Sequence, residues 1–274
     1  HGADLDVVRA LYDACKAAVP DTLVVDDSSW IGWQPVTDFW DEHPYGNNRW
    51  WPGRLEAFRR HIAEKGAKPL LLGECMAADT WVDRALWTAT HGDEPRWWAP
   101  DCLDDQARFE AWIEREFGAE TLASLAPVSR HYGMTSRRYQ IERLRLSLPE
   151  AGYVVSVARD FAKARMGLYD DFGRLKWGAD EWAWHGDDML CLDTDGDRRA
   201  FVLDGGARSV RVRSVRGTAV GEPIEVPLPS SVERPTRHVV EATEGELSAS
   251  WPVWLLPPRA PVTDGLESPW PAPD

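Results

Sequence analysis

A short apolar stretch that ends in a carboxylate constrains the fold of this chain more than any other segment. Residues 68–74 read Lys-Pro-Leu-Leu-Leu-Gly-Glu. A proline that opens three consecutive leucines, followed by a glycine, predicts a short strand buried on both faces, as in a parallel sheet covered by helices. Glu74 then lies where the strand ends, which is where barrels of alternating strands and helices carry their active sites. Glu74 is therefore a candidate catalytic residue; the alternative is a helix cap or an ion pair with an arginine.

Strand and helix candidates alternate along the first two thirds of the chain. The strand candidates are residues 22–26, 35–38, 69–73 and 152–158. The helix candidates, recognised by apolar side chains at helical spacing, are residues 4–19, 53–65, 105–117 and 128–146. This recurring order predicts an α/β fold of the (β/α) barrel type, with the four strands side by side in one parallel sheet and the helices outside it.

The pattern changes after residue 177. Short segments with a period of two are separated by Gly, Pro and Asp turns, at residues 188–194, 199–203, 209–215, 238–243 and 246–256. They predict a small antiparallel β-sandwich. The expected domains are thus a barrel portion over 1–177 and a β-sandwich over 178–260, followed by an extended Pro-rich tail over 261–274.

Tryptophan is unusually frequent, with 16 residues in 274. Trp81, Trp87, Trp97 and Trp98 lie between residues 75 and 104, where no sustained periodicity is found. A long loop of this kind is often functional, and flat apolar rings can stack on the C–H face of a sugar. Trp81, Trp97 and Trp98 are therefore candidate substrate-binding residues, with at least one of the loop tryptophans expected to be exposed near Glu74. The alternative is that these rings fill a core.

Charge and cysteine spacing exclude several classes of partner. The formal net charge of −14 argues against nucleic acid or an anionic membrane as the main partner. The four cysteines are scattered, without the spacing of a zinc site, and no apolar run is long enough to span a bilayer. We expect no metal and no organic cofactor, and a carbohydrate as the substrate. The chain begins His-Gly-Ala, which leads us to expect a processed chain or a fragment.

Five segments, taken in order, resemble the second half of the catalytic barrel of glycoside hydrolase family 2, the group of β-galactosidases, β-glucuronidases and β-mannosidases. They are residues 24–29 (Val-Val-Asp-Asp-Ser-Ser), 38–45 (ending His-Pro-Tyr), 68–74, 141–145 (Ile-Glu-Arg-Leu-Arg) before 152–155, and 167–170 before 174–176. The resemblance covers about residues 1–177. It implies a partial (β/α)8 barrel made of strands five to eight, with the β-sandwich as a usual companion.

The resemblance also implies roles for particular residues in a retaining β-glycoside hydrolase that acts on O-glycosidic bonds. Glu74 would be the nucleophile, and Tyr45 the tyrosine that hydrogen-bonds it. His43 would contact a sugar hydroxyl. The alternatives are a core phenol for Tyr45 and a capping residue for His43. Asp38, at the predicted end of a neighbouring strand, is a further candidate for substrate binding.

The chain departs from the family pattern in two places. The family's general acid is a Glu that follows an Asn, and no Asn-Glu pair occurs in this sequence, so the proton donor is expected to be missing from this chain. Asp26, Asp38 and Asp41 lie near strand ends, but the resemblance assigns none of them that role. At the eighth strand, residues 158–160 read Ala-Arg-Asp where related barrels often carry a sugar-stacking Trp. Two alternatives are a non-catalytic carbohydrate-binding protein with a Trp-lined cleft and a glycosidase of a related barrel family.

Overall fold

Five helices and a three-stranded parallel sheet make up the first part of the molecule. The computed structural model describes residues 4–25, 36–92, 94, 96–194 and 199–258. The helices are α1 (Leu5–Ala18), α2 (Trp51–Lys65), α3 (Arg84–His91), α4 (Leu103–Phe117) and α5 (Ala119–Ser147). The strands are β1 (Trp40–Glu42), β2 (Leu70–Cys75) and β3 (Gly152–Val155), in the order β1-β2-β3 with both pairings parallel. The prediction of a mixed α/β chain is confirmed.

The predicted set of four parallel strands is only partly correct. The strand expected at 69–73 is confirmed as β2, and β3 forms the first part of the strand expected at 152–158. The prediction of a strand at 35–38 is wrong for residues 36–38, and residue 35 lies outside the described residues. The described strand lies further on, at Trp40–Glu42. Residues 22–25 form no strand, and residue 26 lies outside the described residues. The described sheet is therefore open and three-stranded, and it does not close into a barrel.

Local hydrogen bonds explain why residues 36–39 do not form a strand. The Thr37 hydroxyl donates to the carbonyl of Phe39 at 2.8 Å, and the Asp38 carboxylate accepts from the backbone N–H of Val24 at 2.7 Å. Side-chain bonds of this kind to nearby backbone compete with the ladder of a sheet. The Asp38 N–H in turn donates to the carbonyl of Val24 at 2.9 Å, which joins the two segments without forming a regular strand pair.

Helices α2 and α5 cover one face of the parallel sheet. Because side chains alternate along a strand, Leu70 and Leu72 point to the helices and are buried there. Their partners in this core include Trp51, Leu55 and Phe58 of α2 and Ile141 and Leu144 of α5. The other face is less covered, since Leu71 is half-buried and Val154 is 49% exposed. The three leucines predicted that the strand is buried on both faces. The structure shows full burial on one face only.

The long connection from β2 to α4 contains a helix that the sequence pattern missed. Helix α3 spans only eight residues, too few for a sustained period. Its start is set by Asp83, whose carboxylate accepts from the backbone N–H of Leu86 at 3.0 Å. Helix α5 also begins earlier than the predicted 128–146 and includes Pro127.

The second part of the molecule consists of two small sheets. The strands are β4 (Asp188–Asp193), β5 (Ala200–Val202), β6 (Arg208–Arg216), β7 (Ala219–Val220), β8 (Ile224–Leu228), β9 (Thr236–Glu244) and β10 (Leu247–Leu256). One sheet has the order β5-β10-β9, and the other has the order β4-β6-β7 with β8 also paired to β6. All pairings are antiparallel except that of β5 with β10.

Two hydrophobic cores follow from this layering. The inner sides of the two small sheets share a core that includes Val212, Val240, Trp251 and Val253. The outer side of β4 and β6 packs on the first core, to which Met189 and Val215 belong. The domain boundary at 177/178 stays a prediction, and the tail over 261–274 lies outside the described residues. In the part of the chain that is described, no helix is long and apolar enough to cross a membrane.

Candidate functional site

The ends of β1 and β2 bring three of the predicted site residues together. Glu42 of β1 is in register with Leu72 of β2, and the two strands are parallel. The residues that follow them therefore emerge at the same edge of the sheet, where ligands of α/β proteins usually bind. Glu74 lies at this edge one residue before β2 ends, and the register shifts between Leu72 and Cys75, which alters the direction of the strand there.

Tyr45 donates a hydrogen bond to Glu74. The distance from its phenol oxygen to Oε2 of Glu74 is 2.5 Å, and the Ser156 hydroxyl lies 3.4 Å from the same phenol. Burial raises the pKa of Tyr45, and the hydrogen bond to the Glu74 carboxylate raises it further. The phenol therefore keeps its proton near neutral pH and acts as the donor. The Glu74 side chain remains 48% exposed, so a ligand can reach it.

His43 lies between two carboxylates. Its Nδ1 is 3.7 Å from Oε2 of Glu74, and its Nε2 is 3.5 Å from Oδ2 of Asp41. Gly73 makes this arrangement possible, because a Cβ at this position would lie 2.6 Å from Oδ1 of Asp41 and 3.2 Å from Nε2 of His43. The glycine between the leucines and Glu74 thus makes room for the neighbouring strand's polar side chains.

Gly73 and Ser156 of this cluster were not predicted as part of the site, and Asp41 was considered only as a carboxylate near a strand end. Asp41 is only 4% exposed and faces His43, Gly73 admits both, and Ser156 lies just after β3. A signal for Asp41 is present in the sequence, since residues two apart on a strand point to the same face and His43 follows Asp41 by two. No comparable signal exists for Ser156, which is 111 positions from Tyr45.

Asp38 lies elsewhere. It precedes β1, and therefore lies toward the end of the sheet opposite Glu74. Its carboxylate accepts from the Tyr12 hydroxyl at 2.6 Å and from Lys16 at 3.0 Å. The Tyr12 hydrogen bond, with those from the Val24 N–H and Lys16, lowers the pKa of Asp38 to about 2. These contacts join α1 to the segment before β1, and they give Asp38 a structural setting.

The loop tryptophans divide into exposed and packed rings. Trp97 is 93% exposed and Trp98 is 37% exposed, so both have the accessibility that stacking on a sugar requires. Trp98 packs edge-on against Trp87, with 5.4 Å between ring centroids, and Trp87 is buried. Trp81 is half-buried, and its indole N–H donates to Glu110 at 3.0 Å. The contacts described for these rings are with one another, with Arg96 and with residues of α3, α4 and the 156–177 segment, and none is with Glu74.

The cluster around Glu74 offers acid–base and nucleophilic chemistry without a metal. Among the described residues, no group of three or more His, Cys, Asp or Glu side chains is arranged to hold a metal ion. One oxygen of Glu74 is held by Tyr45, and the described residues donate no hydrogen bond to the other, Oε1. An accessible carboxylate held in this way can act as a nucleophile or can accept a hydrogen bond from a ligand hydroxyl.

No protein-family model matches the chain, and no curated protein matches its sequence. Several solved structures of Bacteroides glycosidases align with 92% of it. Bacteroides uniformis β-glucuronidase 2, covalently bound to cyclophellitol-6-carboxylate aziridine, is 12% identical, with a TM-score of 0.39 and 31% of that chain covered. A putative β-galactosidase from Bacteroides fragilis is 11% identical, with a TM-score of 0.38 and 38% covered. A Bacteroides uniformis β-glucuronidase is 13% identical, with a TM-score of 0.38 and 31% covered. The chain thus spans about a third of the length of these glycosidases.

Proposed function

We propose that this chain carries the nucleophile side of a retaining β-glycoside hydrolase active site, of the β-galactosidase, β-glucuronidase and β-mannosidase group. The observation that carries the proposal is the hydrogen bond from Tyr45 to an accessible Glu74 at the edge of a parallel sheet. In this interpretation β1, β2 and β3 belong to strands five to eight of a (β/α)8 barrel. Their parallel pairing and the helices on one face support it.

Glu74 would attack the anomeric carbon of a β-linked sugar. A glycosyl ester forms as the bond to the leaving oxygen breaks, and a second carboxyl group about 5–5.5 Å away protonates that oxygen. Water then cleaves the ester and releases the sugar. Tyr45 holds Oε2, so that Oε1 is the attacking oxygen. The raised pKa of Tyr45 keeps the proton on the phenol throughout the reaction. His43, beside Oε2, would bind a hydroxyl of the same sugar.

The proton donor of this reaction is proposed to lie outside these 274 residues. Asp41 belongs to the same cluster as Glu74, but it is buried against His43 and lies beside Gly73, which leaves it poorly placed to reach a leaving group. We therefore expect the chain to be nearly inert on ordinary β-glycosides. A dinitrophenyl glycoside, whose leaving group needs no proton, should react weakly.

A covalent trap tests the proposal directly. The chain is incubated with dinitrophenyl 2-deoxy-2-fluoro-β-glycosides of galactose, glucuronic acid and mannose, and the intact mass and the modified peptide are determined. One added sugar on the peptide that contains Glu74, absent in Glu74→Gln, is the expected result. Labelling of another residue, or no labelling by any of the three sugars, would contradict it. Robust hydrolysis of an unactivated disaccharide would show that a proton donor is present within the chain.

A second candidate is a carbohydrate-binding protein without hydrolytic activity. The exposure of Trp97 and Trp98 favours it, because exposed indoles can hold a sugar without any catalytic group. Saturable binding of a sugar without labelling of Glu74 would support this function. A glycosidase of a related barrel family would use the same two-carboxylate chemistry, and labelling of Glu74 is expected there too.

A further inference from the structure

A cleft lined by residues that follow β2 and β3 has the size and the lining of a separate ligand site. Its volume is about 800 Å³, within the range of pockets that hold small molecules. Its walls are the segment before α3, the first part of α3 itself, the first three turns of α5, Glu110 of α4 and part of the 160–176 segment. His43, Tyr45 and Glu74 are not among its lining residues. The cleft is thus distinct from the site proposed for hydrolysis.

The cleft lies on the same side of the parallel sheet as Glu74. Thr80 follows the end of β2 by five residues, and Asp160 follows the end of β3 by five. Both residues line the cleft. Lys176 joins them, because its ammonium donates to the Thr80 hydroxyl and to the Asp160 carboxylate, each at 2.7 Å. The two loops that leave this edge of the sheet are therefore fastened together at the base of the cleft.

Most of the charged side chains that line the cleft are paired within the protein, and the exposed Arg130 is the one for which the described residues show no ion pair. The ammonium of Lys176 also donates a third hydrogen bond, to the carbonyl of Arg165 at 2.8 Å. Glu110 accepts hydrogen bonds from Trp81, Gln106 and Arg84. An ionic ligand that bound Lys176 or Glu110 would have to displace one of these partners.

Arg174, another cation of the lining, is paired as well. Arg174 pairs with Asp170 at 2.6 Å and with Asp83 at 3.3 Å, and it remains half exposed. In total the lining has four cationic and five anionic side chains, so their charges nearly cancel. The cleft is therefore polar but has no excess charge that would select an anion or a cation.

A neutral ligand with many hydroxyl groups fits this lining. Carboxylate oxygens and guanidinium N–H groups that are already ion-paired still accept and donate further hydrogen bonds, and a sugar hydroxyl can do both. Trp81 and Leu122 add apolar surface that can face the C–H side of a sugar ring. We propose that this cleft is an ancillary binding site for a neutral oligosaccharide. The proposal does not depend on hydrolysis at Glu74.

Binding of defined trisaccharides tests the ancillary site. The probes are cellotriose and β-1,4-mannotriose as neutral ligands and trigalacturonic acid as an anionic counterpart, measured by calorimetry and by ligand-observed NMR with the 274-residue chain. We expect saturable binding of at least one neutral probe and none of the anionic one. Binding of the anionic probe alone, or no saturable binding of either neutral probe, would overturn the proposal.

Two tryptophan substitutions locate the bound probe. Ala123 is exposed on α5 and lines the cleft, so Ala123→Trp should fill the cleft and weaken binding roughly tenfold or more. Ala111 is exposed on α4 and does not line the cleft, so Ala111→Trp is the matched control and should bind normally. Unchanged binding in Ala123→Trp, with the fold verified by circular dichroism, would contradict the assignment.

Glu74→Gln separates this site from the proposed active site. Binding of the neutral probe should persist in Glu74→Gln, and the fluoro-sugar label should still reach Glu74 in Ala123→Trp. If Glu74→Gln abolished binding, the probe would be bound at Glu74 and the ancillary site would be refuted. Failure of labelling with binding intact would instead refute the hydrolase function alone.

Discussion

The phenol oxygen of Tyr45 lies 2.5 Å from a carboxylate oxygen of Glu74, although the two residues are 29 positions apart in the chain. Parallel pairing of β1 with β2 brings them together, because Tyr45 follows β1 by three residues and Glu74 lies near the end of β2. Tyr45 holds one oxygen of this carboxylate, and the side chain as a whole remains 48% exposed. Such a fixed orientation is what a nucleophile needs in order to attack along one direction.

Tyr45→Phe should slow the reaction of Glu74 without unfolding the chain. The ring is retained and only the hydroxyl is lost, and a hydrogen bond to a charged group contributes about 1.5–3 kcal/mol. We therefore expect the rate of labelling by an activated fluoro-glycoside to fall by about ten- to a hundredfold. The rate is measured by intact-protein mass spectrometry over time.

Tyr132→Phe is the control for this substitution. Tyr132 is also exposed, at 58%, but it lies on α5 away from the contacts of Glu74. Its loss should leave the labelling rate unchanged. Equal rates for Tyr45→Phe and the wild-type chain would mean that the hydrogen bond does not orient the nucleophile.

Gly73→Ala should disturb the site from the neighbouring strand. The added Cβ would lie 2.6 Å from Oδ1 of Asp41, which is buried and has little room to move. Overpacking of this kind costs about 1–3 kcal/mol, and we expect both a lower free energy of unfolding and slower labelling of Glu74. Urea denaturation and the labelling rate are the two measurements.

Gly53→Ala is the matched glycine substitution. Gly53 lies in α2 with open space around the position of a Cβ, and its φ is not positive. Alanine favours a helix over glycine by about 0.5–1 kcal/mol, so this variant should be as stable as the wild-type chain or more so. A destabilised Gly53→Ala with an unaffected Gly73→Ala would contradict the role of Gly73.

The strand at 69–73 and the carboxylate at its end could be predicted from the sequence. A run of three leucines bounded by Pro and Gly is typical of a short buried strand. It did not place β1, where hydrogen bonds of Thr37 and Asp38 to nearby backbone outweigh strand propensity. Nor did it reveal α3, whose eight residues are too short to show a helical period.

The site was predictable only where residues follow strand ends. His43 and Tyr45 lie together with Glu74 because adjacent parallel strands end at one edge. Asp38 does not lie with Glu74, because the strand that Asp38 was expected to end begins two residues after it. The partners of Trp81 and Trp98 depend on how α3 and α4 pack against their neighbours. The spacing of apolar residues along the sequence does not predict this packing.

The stability of the attachment of α1 should depend on pH through Asp38. The folded-state pKa of about 2 lies below the ordinary value of 3.8, so the unfolded chain binds more protons between these values. The contribution of Asp38 is therefore complete above about pH 4 and is lost as the pH falls through 2. Amide exchange of α1 and a carboxyl NMR titration should both show this.

Tyr12→Phe should raise the pKa of Asp38 toward its ordinary value, because the Tyr12 hydrogen bond is the largest cause of its depression. Asp13→Asn, an exposed carboxylate on the same helix, should leave the Asp38 titration nearly unchanged. An Asp38 pKa near 3.8 in the unmodified chain would show that the contacts with Tyr12 and Lys16 are not formed in solution.

A buried carboxylate links α5 to the β-sheets. Glu142 is 1% exposed and accepts hydrogen bonds from the Trp251 indole at 2.7 Å and from Arg138 at 2.6 Å. Arg199 lies 3.9 Å from its other oxygen. The guanidinium of Arg138 also lies 4.8 Å from the centre of the Trp251 ring. The contact of β10 with α5 therefore includes a buried carboxylate, with one oxygen hydrogen-bonded by two donors and the other near Arg199.

Glu142→Gln should destabilise the fold strongly. The glutamine keeps the shape of the side chain, but it removes the charge that compensates Arg138 and turns an N–H group toward donors. Breaking a buried pair in this way costs about 3–5 kcal/mol. Glu150→Gln, an exposed position just beyond α5, should change the free energy of unfolding by less than about 0.5 kcal/mol. Urea denaturation of both variants decides the matter, since equal and small effects would mean that Glu142 is hydrated and does not lock α5 to β10.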